Sequence, residues 1–143
     1  MKKIVLSMAI TTIALINANA QKLDVKDVPG DVKAKFTALY PNETKVKWEK
    51  EAGNYEAGFE IKEIETTVLI DPKGNLVQTE TKIKISELPK GIDEYVSKNK
   101  PGNKIKGAEK IVDPSGVVTY EAEIKGGDLI FDTAGKFIKE MQD

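Results

Sequence analysis

One stretch of this chain is written twice. Val28-Pro29, eleven residues and Pro41 return sixty positions later as Leu88-Pro89, eleven residues and Pro101. Tyr55-Glu-Ala-Gly-Phe-Glu-Ile61 returns as Tyr120-Glu-Ala-Glu-Ile124, and Asp71-Pro-Lys-Gly74 as Asp132-Thr-Ala-Gly135. Self-similarity over a whole supersecondary unit means that each half presents a face it cannot bury alone, so the halves are expected to complete one sheet together. A half of about 60 residues would be marginal by itself, whereas about 120 can enclose a core.

Within each copy the apolar spacing changes from helical to extended. Val32, Phe36, Leu39 and Tyr40 fall on one stripe of an amphipathic helix that Pro29 suits at its start and Pro41 ends. Ile92, Tyr95 and Val96 make the matching, weaker stripe before Pro101. Tyr55, Ala57, Phe59 and Ile61 then alternate with Glu56, Gly58, Glu60 and Lys62, and Tyr120, Ala122 and Ile124 with Glu121, Glu123 and Lys125. Period two with one apolar and one charged side predicts half-buried antiparallel strands.

Val46 and Trp48 share one face of the strand before, and Ala52-Gly53-Asn54 and Asp113-Pro-Ser-Gly116 supply turns. Third strands are expected over residues 66–70 and 128–131. The Asp71 and Asp132 turns then lead into fourth strands, the first running cleanly over residues 76–85. The expected fold is α+β: a tandem repeat of one helix plus four antiparallel strands, with both helices on one face of a continuous sheet of about eight strands. The repeats are placed at residues 28–85 and 88–143, after a lead segment at 21–27.

Residues 1–20 read as a cleaved secretory signal: Lys2 and Lys3, an apolar run from Ile4 to Ile16, and Ala18-Asn19-Ala20 as a small-residue cleavage site. The run is shorter than the ~20 residues a spanning helix needs, so no membrane attachment is expected after cleavage. A periplasmic or secreted location follows. Removing two lysines leaves 20 basic against 23 acidic side chains, a net charge of −3 with no nucleic-acid footprint.

Every basic residue is Lys, and His, Arg and Cys are absent. Their absence removes the commonest general base, the thiol nucleophile, bidentate anion clamps and the nitrogen and sulfur ligands of zinc or copper. No cofactor or metal site is expected, and no enzyme. Asp71-Pro-Lys-Gly74 and its copy lack the serial oxygen ligands of a calcium loop and read as hairpin turns. Asn42-Glu-Thr44 matches a glycosylation acceptor but reads as the loop after Pro41. The carboxylate pairs Glu63/Glu65 and Glu49/Glu51 are expected to project to one side of their strands without raised pKa values, leaving acid catalysis unsupported.

Val-Pro before an apolar helix ending in Tyr-Pro, Val46-Lys-Trp-Glu-Lys50, Tyr55-Glu-Ala57, Asp71-Pro-Lys-Gly74, Ser86-Glu-Leu-Pro89 and Tyr120-Glu-Ala-Glu123 together resemble the PepSY-like family of β-lactamase-inhibitor-like proteins. The resemblance runs from about Val28 to the C-terminus. It implies an exported Gram-negative protein folded like the tandem repeat of β-lactamase inhibitory protein, helices on one face and a concave sheet on the other. It also implies a protein partner, such as an exported peptidase, gripped by that sheet. It carries over no catalytic or ligand residues, and this chain has no Cys to match the inhibitor's disulfides.

The candidate partner face is therefore Glu56, Glu60, Lys62, Glu80, Lys82, Glu121, Glu123 and Lys125, expected to be a solvated, charged surface. Trp48 is either core, as its company with Val46 suggests, or an anchor on that face. The alternative to a protein-binding module is a binder of a small ligand or envelope polymer, and behind that a hydrolase using carboxylates alone. A monomer or weak dimer is expected.

Overall fold

The computed structural model describes residues 21–142, so the expected signal peptide lies outside the described residues. The elements run β1 (Gln21–Leu23), a 3-10 turn (Val25–Asp27), α1 (Gly30–Leu39), β2 (Lys47–Glu51), β3 (Asn54–Ile61), β4 (Ile64–Ile70) and β5 (Leu76–Lys82). A second 3-10 turn (Ile85–Glu87), α2 (Ile92–Asn99), β6 (Gly107–Val112), β7 (Val118–Ile124), β8 (Gly127–Phe131) and β9 (Phe137–Gln142) follow. All the strands form one nine-stranded antiparallel sheet in sequence order.

The α+β architecture is the expected one, with a ninth strand. β1 comes from the lead segment, where Leu23 pairs with Trp48. Gln21-Lys-Leu-Asp-Val-Lys-Asp-Val-Pro29 occupies the place that Thr81-Lys-Ile-Lys-Ile-Ser-Glu-Leu-Pro89 takes before α2. The end of β5 thus does for the second helix what β1 does for the first. β5 also stops earlier than expected, at Lys82, because the Lys84 N–H donates to Glu87 Oε2 at 2.8 Å and closes the 3-10 turn.

Both helices are ended by the prolines. The Tyr40 N–H donates to the Phe36 carbonyl, and the Lys100 N–H to that of Val96, in each case just before a Pro that cannot continue the ladder. α1 lays Val32 and Phe36 on Trp48, Tyr55, Ala57, Phe59, Val68 and Ile70. α2 lays Ile92 and Val96 on Ala122, Ile124, Leu129 and Phe131. Leu39, expected on the first stripe, is 41% exposed. Phe36 and Tyr40 already cover Phe59, with ring centroids 5.2 and 4.6 Å from it, and leave Leu39 at the side.

Each half closes its last hairpin by the same device. Asp71 Oδ1 accepts the N–H groups of Lys73 and Asn75, and Asp132 Oδ1 those of Ala134 and Lys136. These carboxylates are consumed by turn geometry, as read from the sequence. The β3–β4 hairpin is less well provided: Lys62 and Glu63 both hold positive φ, +51° and +66°, where Asn-Gly is the favoured pair. The double substitution Lys62→Asn with Glu63→Gly should stabilise the fold by about 1 kcal/mol, read as a raised denaturation midpoint.

Trp48 is 6% exposed and packs edge-on against Phe36 at 5.4 Å. Trp48→Ala should cost about 3–5 kcal/mol, measured by chemical denaturation. An unchanged midpoint would show that its burial contributes nothing.

Candidate functional site

In an antiparallel sheet, residues directly opposite point to the same side, so the strand registers sort every side chain between the helix-covered face and the open one. Trp48 lies opposite Ala57, and Ala57 opposite Val68, on the covered face. Trp48 is therefore core and is not an anchor on the open sheet. The intervening positions Glu56, Glu60, Glu80, Lys82, Glu121 and Glu123 fall on the open face. Lys62 and Lys125 do not: both sit in hairpin turns, beyond the ends of β3 and β7. Glu63 is likewise in a turn and does not share a strand face with Glu65.

The registers also bring in residues that period-two reading left out. Glu49 is directly opposite Glu56, Glu60 opposite Glu65, Glu109 opposite Glu121, and Glu123 opposite Asp128. Like charges directly opposite each other destabilise a sheet, and here the arrangement occurs in both halves. Between these pairs the face carries apolar side chains: Ile111 opposite Glu80, and Ile130 opposite Glu121. Ile111 and Ile130 are 8% and 4% exposed although neither helix core contains them.

The expected solvated surface is desolvated in part: Glu60, Lys82 and Glu123 are exposed as expected, whereas Glu56, Glu80, Glu109 and Glu121 are half-buried. Burial, followed by a hydrogen bond and repulsion from Glu51, pushes the Glu56 carboxyl up to about 8. Burial, then repulsion from Asp128 and Glu109, pushes Glu121 up to about 8, while burial and Glu80 push Glu109 up to about 7. Glu80 is raised chiefly by burial, against a hydrogen bond from Gln78 that lowers it. Lys82 is not available to them in full, since its Nζ lies 2.6 Å from Glu65 Oε2. These shifts correct the expectation that Glu56, Glu80 and Glu121 stand on a solvated surface.

A cleft of about 570 Å³ adjoins this face at one end, where Asn42, Glu43, Thr44 and Lys45 border Lys47, Gly58, Glu60 and Thr67. Among the described residues no group of three acidic side chains is placed to hold a metal ion. No helix there is long and apolar enough to cross a membrane.

A family model described as "Putative beta-lactamase-inhibitor-like, PepSY-like" matches the chain over residues 14–78 and again over 62–139. The chain belongs to this family. Solved structures share the PepSY-like fold at low identity. A "putative periplasmic" protein from Bacteroides eggerthii superposes with a TM-score of 0.67 at 15% identity, covering 80% of this chain and 88% of its own. A BLIP-like protein from Bacteroides fragilis superposes at 0.60 and 22% identity, covering 80% and 85%. No curated protein matches the sequence significantly.

The raised carboxyls fix the sign of the pH dependence. Their folded pKa values lie above the ordinary 4.5, so the folded chain holds more protons than the unfolded one in between, and stability falls as pH rises from about 4.5 to about 8. Glu65, lowered by Lys82, and Asp71 and Asp113, lowered by turn hydrogen bonds, act oppositely and lose their contribution only in more acid solution. The melting midpoint should therefore be higher at about pH 5 than at about pH 8.5. Glu56→Gln, Glu109→Gln and Glu121→Gln together should flatten that slope, and a midpoint rising with pH would contradict the desolvated row.

Proposed function

We propose that this PepSY-like protein is a non-catalytic, inhibitor-like module that docks another exported protein across the open face of its sheet. One observation carries the reading: the open face holds opposed, half-buried carboxylates around buried isoleucines, an arrangement that opposes folding and that a merely solvated face would avoid. Family membership supports an inhibitor-like role, and the described periplasmic neighbour supports export. An exported peptidase is the kind of partner the family resemblance suggests.

Bulk placed on the face without touching its charges tests this. Gly58 and Thr67 lie opposite each other on β3 and β4, on the open side beside the cleft, and a Cβ on Gly58 would meet only the Lys47 carbonyl, at 3.9 Å. Immobilised residues 21–143 should retain a discrete protein from periplasmic extract of the source cells, and Gly58→Trp and Thr67→Trp, checked for folding by circular dichroism, should lose it. Equal retention by both variants would place the docking surface elsewhere.

The cleft bordered by Asn42–Lys45 favours a second reading, a small ligand or envelope polymer bound at the end of the sheet. A rise in melting temperature with one ligand class would support it.

A further inference from the structure

We infer that the partner presents a lysine- or arginine-rich surface, whose cations fall opposite the Glu56, Glu80, Glu109 and Glu121 carboxylates of the open face. The inference rests on the docking face proposed above and names the chemistry of its occupant.

Charge complementarity is the first ground. Acid faces acid across the strands at Glu49–Glu56, Glu109–Glu121 and Glu123–Asp128. Among the described residues no lysine forms an ion pair with Glu56, Glu80, Glu109 or Glu121. The face has lysines of its own at other positions. Lys47 lies opposite Gly58 rather than an acid, Lys82 is held by Glu65, and Lys139 lies opposite Ile130 on β9. A partner bearing cations would supply what the face lacks, whereas an anionic or neutral one would leave these repulsions in place.

The second ground is the floor of the face. Ile111 lies between Glu80 and Thr119, and Ile130 between Glu121 and Lys139, both nearly shielded from water. Apolar groups beneath the carboxylates lower the local dielectric, so a cation brought against them gains more than it would at an exposed surface. A metal ion would exploit the same field, but no three acids among the described residues converge to ligate one. Cations spread over a protein surface fit a row distributed over β3, β5, β6 and β7.

A third consequence makes the inference measurable. Glu56, Glu109 and Glu121 are held partly protonated near neutrality by burial, by Glu49 and Glu51 from β2, by Glu80 from β5, by Glu123 from β7 and by Asp128 from β8, with Lys82 of β5 opposing them at Glu109. A docked cation favours the ionised form, so binding must expel protons and strengthen as pH rises.

Decalysine is a suitable probe, with decaglutamate as its control. Titration calorimetry on mature residues 21–143, in buffers of different ionisation enthalpy at about pH 7, should show decalysine binding with proton release, and affinity should rise about tenfold between about pH 6 and about pH 8. Glu56→Gln, Glu109→Gln and Glu121→Gln together, which keep shape and remove charge, should weaken binding about tenfold and abolish the proton release. Asp93→Asn with Glu94→Gln, in the first turn of α2, should leave both unchanged. Proton release from the unaltered chain needs no variant to fold, and its absence, or equal weakening by the α2 control, would overturn the inference. A natural partner retained by the glutamine variant but lost with Gly58→Trp would refute a cationic partner while sparing the docking face. Retention by both variants would refute the two together.

Discussion

A helix of eight or ten residues can cover only part of one face of a sheet, and the rest of the molecule follows from that limit. At 1.5 Å per residue, α1 and α2 are about 15 and 12 Å long, while strands sit about 4.8 Å apart, so each helix roofs three or four strands. Nine strands need both helices. The cores they form are separate, one around Phe36 and one around Phe131, and the link between them is the β5–β6 ladder from Thr79–Val112 to Lys82–Glu109. With both helices on one side, no helix among the described residues is left to cover the other. The open face is the necessary complement of how each half buries its apolar stripe.

Once a face is left open, what stands on it is free of the demands of the helix cores. Under the helices the covered face sets apolar residues opposite apolar residues, as at Trp48–Ala57, Ala57–Val68 and Ala122–Leu129, with edge-on aromatic contacts at Phe36, Trp48 and Phe59. The open face breaks one repeatedly, setting Glu49 against Glu56 and Glu109 against Glu121 in equivalent places of the two halves. Local conflict inside a consistent fold is where function is expected to lie. The strained Lys62–Glu63 turn shows that this chain tolerates such conflicts without a glycine to relieve them.

Much of the fold was legible because it is local. The Tyr55–Ile61 alternation and the Pro29–Pro41 spacing name their elements without reference to anything distant. β1 was not legible, since three residues carry no periodicity, yet comparison of Gln21-Lys-Leu with Thr81-Lys-Ile would have found it. Lys62 and Lys125 were misplaced because alternation continues on paper past the point where the chain turns. The site was less legible. Glu80 and Glu109 come together only through the β5–β6 pairing, and their shifts depend on burial by neighbours far off in sequence. A period-two pattern tells which side a carboxylate takes and says nothing of who faces it.

Carboxyl groups poised near neutrality are also what acid catalysis uses, so the choice between chemistry and docking turns on how they differ from one another. A hydrolytic pair needs environments that push its members apart, one kept protonated and one ionised, with room between them for a sugar or a water. Glu109 and Glu121 are pushed the same way, to about 7 and about 8, by the same burial and by a shared set of acidic neighbours. They sit directly opposite on adjacent strands, where the gap is filled by the sheet itself. Groups raised together in this way are not divided into an acid and a base as a glycosidase pair is, and they suit a surface whose charge is completed by another molecule.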